Sequence, residues 1–223
     1  MKEYIPILGR SRMFAGVGEE EITSLLGCLN ARARSCAKGE YVLRQGERAG
    51  ELAVLAAGEL LIQSDDYWGN RSILGRIVPG EMFAEAYIGP ESGPVLNDVV
   101  AIQDSTVLFF DAHRVLTTCS SACRFHAMVV QNLFYAVSEK NRDLVQKLRH
   151  MSRRTTREKL ISYLSQQAKS QGGPEFSIAF NRQQLADFLS VDRSAMSNEL
   201  CKMRDEGLLE FKKNRFRLLN GAI

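Results

Sequence analysis

Basic residues are missing from a long central stretch of this chain. No Lys or Arg occurs from Ile77 to Ala112, while Glu81, Glu85, Glu91, Asp98, Asp104 and Asp111 are all acidic. A phosphate buried among these carboxylates without a guanidinium would be prohibitively unfavourable. Long apolar runs are also absent: nothing in the 223 residues approaches the ~18–20 needed to cross a bilayer. The opening MKEYIPILGRSRMF lacks the apolar core and small-residue cleavage site of a secretory signal. A cytoplasmic protein without membrane association is therefore expected. Histidine is scarce, with three residues and none before His113. That argues against a cupin-type barrel enzyme, which needs several His and carboxylate ligands from its strands, and no Ser-His-Asp or paired-carboxylate arrangement stands out. The five cysteines (Cys28, Cys36, Cys119, Cys123, Cys201) form an odd set without a disulfide framework, so free thiols are expected. Gly and Pro do not occur between Asp111 and Gln171, so nothing in the covalent chain forbids a long helix there.

The hydrophobic content of 45% and charged content of 25% are those of a globular chain, and the length suits two modest domains. The net charge of +3 conceals an asymmetry: residues 1–146 hold 14 basic and 18 acidic residues, and residues 147–223 hold 15 and 8. A basic C-terminal third on a mildly acidic body points to a polyanion at one end, or to solvated surface charge.

Residues 19–30, EEEITSLLGCLN, predict a short amphipathic helix with acidic residues in its first turn. Gly-Glu then recurs at Gly39-Glu40, Gly46-Glu47, Gly58-Glu59 and Gly80-Glu81, between the apolar runs YVL, ELAVLAA, LLIQ, SILGRIV, VVAI and TVLFF. Short strands separated by glycine turns predict an antiparallel sandwich or barrel, with a hairpin tip at Gly69-Asn70. The fold class expected is α+β. It comprises an N-terminal antiparallel β-barrel of double-stranded β-helix or jelly-roll type, a long helix, and a C-terminal winged helix-turn-helix.

In the long helix Phe125, Val129, Leu133, Ala136, Lys140, Leu144, Leu148 and Met151 sit three or four apart. This stripe predicts a coiled-coil seam between two copies of the chain, a core helix of the chain's own domain being the alternative. SRRTT at 152–156 breaks the pattern, and Thr155 with Glu158 forms a capping-box signal for a new helix. The expected domains are 1–151, including a dimerisation helix at about 115–151, and 152–223.

Residues 180–219 carry the strongest signal. Asn181 can cap a helix RQQLADFL, whose inner face is Leu185, Phe188 and Leu189 with the small Ala186. Ser190-Val191-Asp192 then turns, and Asp192 can cap RSAMSNELCKMRDE, stopped by Gly207. With Met196, Leu200 and Met203 inward, Arg193, Ser194, Ser197 and Asn198 are left outward near the start of the second helix, where a helix-turn-helix enters the major groove. Arg193 can bond a guanine edge bidentately; Asn198 can pair with adenine or contact backbone. Arg182, Gln183 and the wing cations Lys212, Lys213 and Arg215 suit phosphates.

Taken in order, KGEYVLRQGE, VLAAGELLI, ILGRIVPGEMFAEA, the long helix and NRQQLADFLSVDRSAMSNEL resemble the Crp/Fnr family of bacterial transcription regulators over nearly the whole chain. The resemblance implies a homodimer on double-stranded DNA with a pseudo-palindromic site, contact with RNA polymerase, and a small effector at the barrel and dimer helix that reorients the DNA-binding domains. In cyclic-nucleotide-binding members a Glu holds the ribose hydroxyl and, ten residues later, an Arg-Ser pair grips the phosphate. Here Glu85 fits the first position, but Val95 and Leu96 stand at the second. The cofactor is therefore unknown, and an effector other than cyclic AMP is expected. Tyr67, Trp68, Tyr87 and Val95 can line a pocket for a neutral, aromatic or weakly polar ligand, or serve as ordinary core and turn packing. Arg142 is the remote cation available to an acidic ligand, or a surface ion-pair partner.

Cys119, Cys123 and His126 fall at i, i+4 and i+7. Metal or haem binding and thiol redox sensing are the chemical readings of this cluster, and plain packing the structural one. The family's iron–sulfur members carry N-terminal cysteines, whereas this chain has only Cys28 and Cys36 there. A redox- or metal-sensing regulator is thus the alternative function.

Overall fold

The computed structural model describes residues 1–65, 67–68, 71–89, 92–117 and 124–219, without the side chains of Asp65, Arg71 and Ser72. The predicted tip at Gly69-Asn70 lies outside the described residues. The chain divides into two compact units, Met1–Ser138 and Glu139–Ile223.

The first unit opens with α1 (Ile5–Arg10) and α2 (Glu19–Cys28). Among the described residues eight strands follow: β1 (Arg32–Cys36), β2 (Tyr41–Leu43), β3 (Glu51–Ala57), β4 (Leu60–Asp65), β5 (Arg71–Ile77), β6 (Met82–Phe83), β7 (Asp98–Ala101) and β8 (Ser105–Asp111). They form two antiparallel sheets ordered β1-β8-β3-β6 and β2-β7-β4-β5. Strand alternation sorts the core into two layers. Ala53, Leu55, Val107 and Phe109 join Val42, Leu60, Ile77 and Val99 in one cluster drawn from both sheets. Their neighbours Leu52, Val54, Leu108 and Phe110 face the opposite way, into a cluster with Leu8, Ile22, Leu25, Val129 and Leu133 from helices. Strands β3 and β8 are buried on both faces, which is why ELAVLAA and TVLFF read as continuous apolar runs.

The recurring Gly-Glu pairs have a local explanation. Gly58 has φ +92, and a Cβ there would lie 2.6 Å from the Ser105 Cα, so only glycine fits the turn. The glutamates of the other three pairs close their turns. Glu40, Glu47 and Glu81 each accept a hydrogen bond from the backbone N–H three residues earlier, at 3.1, 3.3 and 3.0 Å. Asp98 accepts from Gln45 N, Asp104 from Lys38 N and Asp111 from Arg114 N, at 2.7, 3.0 and 3.0 Å. Much of the acidic segment thus holds turns together.

Strand β1, RARSC, has no apolar alternation, and sequence reasoning missed it. Its Arg32 and Arg34 guanidiniums lie 4.6 and 5.5 Å from the Phe109 ring centre, and Arg32 pairs with Glu51. Cation–π contact replaces aliphatic burial on this edge.

After α3 (Ala112–Leu116), α4 runs from Arg124 to Met151. Its first half departs from the expected seam: Val129, Leu133 and Ala136 are buried in the helix-facing core of the first unit. The large apolar residues left exposed on α4 are Phe134, Tyr135, Val137, Leu144, Val145 and Leu148. The expected stripe therefore does not hold over the first half of α4, while Leu144 and Leu148 of that stripe are exposed in the second unit.

The second unit continues with α5 (Thr156–Ser170), β9 (Glu175–Ser177), α6 (Arg182–Leu189), α7 (Arg193–Asp205), β10 (Leu209–Lys212) and β11 (Arg215–Leu218). The capping box of Thr155 and Glu158 is formed, as is a second between Asn181 and Gln184. The core is Leu160, Tyr163, Leu164, Leu185, Leu189, Met196, Leu200 and Met203, closed by Phe176 and Phe216. Strand β9, too short to announce itself, adds a third strand to the wing in the order β10-β11-β9.

Candidate nucleic-acid interface

Helices α6 and α7 are joined by a tight turn. Ser190, at the α6 terminus, adopts a left-handed conformation (φ 50), and the Val191 N–H returns to Ala186 O at 3.0 Å. The Asp192 carboxylate then accepts from Ala195 N at 2.7 Å, fixing the start of α7. Two contacts not foreseen from the sequence hold the pair in place. Lys159 Nζ on α5 donates to the terminal α6 carbonyls of Leu189 and Ser190, at 3.1 and 3.2 Å; a cation here satisfies orphan acceptors and complements the helix dipole. Arg157, also on α5, pairs with Glu206 just beyond α7 and with Glu199 on it, the latter at 3.5 Å. A surface Arg and Lys read as generic charge until the fold shows what faces them.

With Met196, Leu200 and Met203 buried, α7 presents Arg193, Ser194 and Asn198 exposed and Ser197 half-buried. Cys201 is exposed one turn further along, a position the sequence reading passed over. The wing is the β10–β11 hairpin, with Lys212 opposite Arg215 and Lys213 in the left-handed region (φ 54). Lys212, Lys213 and Arg215 are all exposed. Gln183 donates to Asp187 at 2.8 Å. Arg182 is placed differently from a simple phosphate contact: it is half-buried, its guanidinium 4.8 and 5.1 Å from the Phe211 and Phe216 ring centres. Burial lowers its pKa, with Cys201 opposing.

Electrostatics separate two sets of cations in this unit. Arg157, Arg204 and Arg217 are paired with Glu206, Asp205 and Glu175 respectively. Arg193, Lys212, Lys213 and Arg215 form no ion pair among the described residues. Their charge is available to an external polyanion.

In the first unit, Glu85 begins a single 3-10 turn after Ala84, which sits at φ 66. Val95 is buried, and its N–H donates to Glu47 O at 2.8 Å. The Leu96 N–H donates to the Tyr87 hydroxyl at 3.1 Å. Both backbone donors at the position where the resemblance places a phosphate are thus committed, and the segment supplies no cation. These residues do not fit a cyclic phosphate. The structure joins Tyr87 and Leu96, but leaves Tyr67 and Trp68 96% and 83% exposed, packed edge to face on one another. Arg142 is an exposed residue of the second unit.

Cys119 and Cys123 lie outside the described residues. His126 is buried, with Nε2 3.1 Å from Val115 O. Among the described residues no group of three or more His, Cys, Asp or Glu is placed to hold a metal ion, and no helix is long and apolar enough to cross a membrane.

A family model for the cyclic nucleotide-binding domain matches residues 33–122, and one for the Crp-like helix-turn-helix domain matches residues 158–222. The transcriptional activator protein anr of Pseudomonas aeruginosa is 21% identical over 194 residues, 85% of this chain and 77% of that protein. The catabolite activator protein of Thermus thermophilus is similar in structure, with a TM-score of 0.52, 22% identity and 95% of each chain covered. So is the c-di-GMP responsive global regulator CLP of Xanthomonas campestris, with a TM-score of 0.57, 17% identity, and 89% and 98% covered.

Proposed function

Because this chain belongs to the Crp/Fnr family, whose members are DNA-binding transcription regulators and not enzymes, we propose that it works as a homodimer on a two-fold symmetric DNA site, under control of a small effector that is not a cyclic nucleotide. One observation carries the DNA-binding part. The capped α6–α7 pair and its wing present Arg193, Lys212, Lys213 and Arg215 to solvent without internal counter-charges. Arg193 enters the major groove to read a base, with Ser194, Ser197 and Asn198 beside it. Gln183 and the wing cations contact phosphates. Arg182, held on the two wing phenylalanines, positions the wing and reaches a phosphate with its remaining donors.

The dimer reading is supported by α4, where Phe134, Val137, Leu144 and Leu148 are 40–68% exposed. At three- and four-residue spacing they form a seam for a second copy. Asn141 lies in its middle, where a polar residue specifies pairing register at a cost in stability. Selection from a random duplex library with the full chain is expected to return a two-fold symmetric sequence, its half-sites about 10–10.5 base pairs apart. A chain that stays monomeric and enriches no sequence would overturn the reading.

The effector reading follows from Val95 and Leu96. In calorimetry, cyclic AMP and cyclic GMP are expected to give no saturable heat with the full chain. Micromolar affinity for either would sink this part while leaving the DNA-binding part standing.

A further inference from the structure

A concave groove of about 380 Å³ lies where the end of α4 meets α5, a volume within the ~300–1,000 Å³ range of small-ligand sites. Arg149 from α4, Arg153 from the following turn and Lys169 from α5 line it, together with the Ser162 and Ser165 hydroxyls. None of these three cations forms an ion pair among the described residues. Glu158 is the one carboxylate lining the groove, and it is engaged with the backbone N–H groups of Arg154 and Thr155 at 3.1 and 3.2 Å. Three cations thus line a surface with a single counter-charge, Glu158, which is held by the backbone and feels the charge of Arg153.

His150 forms the inner wall. It is 3% exposed, with Nδ1 2.8 Å from Ser162 Oγ and its ring edge-on to Tyr163 at 5.7 Å. The other groups around it are Phe188 on α6, the Lys147 ammonium over that ring at 5.5 Å, and Gln166 on α5. Burial lowers the His150 pKa, the Gln166 hydrogen bond opposes this, and the Arg149 and Arg153 charges add to the depression. Burial pushes the Tyr163 phenol up to about 12. His150 is therefore neutral near pH 7 and registers the positive potential of the groove.

We propose that this groove binds a small phosphate-bearing anion between Arg149, Arg153 and Lys169, with Ser162 and Ser165 as hydroxyl donors. Two guanidiniums and an ammonium without an ion pair among the described residues, of which Arg153 feels only the longer-range attraction of Glu158, set in a concavity beside serine hydroxyls, match the donor needs of a phosphate. None of the lining residues is among those proposed to read DNA, so a charged metabolite bound here would act through α5 and the end of α4.

The test is calorimetric titration of the full chain with inorganic phosphate and with pyrophosphate at low ionic strength. One saturable site per chain is expected, weakened roughly tenfold by Arg149→Gln or by Lys169→Gln and unchanged by Arg193→Ala. NMR of the His150 ring gives a second readout. Saturating pyrophosphate should raise its pKa, because a bound anion offsets the two arginines, and the ring signal also reports that each variant is folded. Absence of saturable binding would overturn the proposal. So would equal affinity in both groove variants, which would mean an adventitious ion only. If neither anion binds while Arg149→Gln lowers the salt dependence of duplex binding, the groove is instead part of the DNA surface.

Discussion

The double variant Leu144→Glu/Leu148→Glu is expected to sediment as a monomer and to lose affinity for a palindromic duplex by about 10²–10⁴-fold. Both leucines lie on the outward stripe of α4, 60% and 63% exposed in the single chain, so their removal leaves each unit's own core intact. Burying a leucine contributes about 1.5–3 kcal/mol. A two-fold seam with two such leucines per chain would lose four, and would gain four carboxylates facing one another. Few coiled-coil interfaces withstand that change. The effect on DNA follows from avidity: with two heads joined, the second half-site is engaged at a high effective concentration, and a monomer forfeits it. By contrast, Leu133→Ala, 4% exposed in the first unit's core, should destabilise that unit without being specific to dimerisation. Sedimentation together with a duplex-binding titration separates the two outcomes. A Leu144→Glu/Leu148→Glu chain that remains dimeric would show that another surface mediates association.

Arg193→Ala is expected to flatten sequence preference by about 1–3 kcal/mol, roughly 5–150-fold in the ratio of affinities for the selected site and for its single-base variants. Arg193 is the first residue of α7, immediately after the Asp192 cap, and is exposed without an ion-pair partner among the described residues. Its side chain makes no hydrogen bond or ion pair among the described residues, so folding should be little affected. Lys213→Ala makes the contrasting control. As a phosphate contact on the wing it should weaken all duplexes alike and reduce the salt slope by about one. If Arg193→Ala behaves as Lys213→Ala does, with equal loss on every sequence, then Arg193 holds the backbone and base reading belongs to Ser194, Ser197 or Asn198.

The sequence by itself determined the elements whose causes are local. Capping signals at Thr155, Asn181 and Asp192 became real caps, because a cap involves residues only three positions apart. Glycine turns and the continuous apolar runs of β3 and β8 were legible for the same reason, as was the exposed start of α7. The missing cation of residues 77–112 needed no coordinates at all. Tertiary structure alone decided which way ambiguous segments face. Residues 125–137 of α4 are apolar nearly all round, so periodicity could not say that Val129 and Leu133 turn into the core while Phe134 and Val137 turn out. The edge strand RARSC and the short β9 exist because Phe109 and Phe216 lie beside them. Lys159 on the α6 carbonyls, Arg182 on the wing phenylalanines and the cationic groove on α5 depend on partners far away in sequence. Local hydrogen bonds specify where an element begins and ends. Which side of it is buried depends on the neighbours that remove it from water.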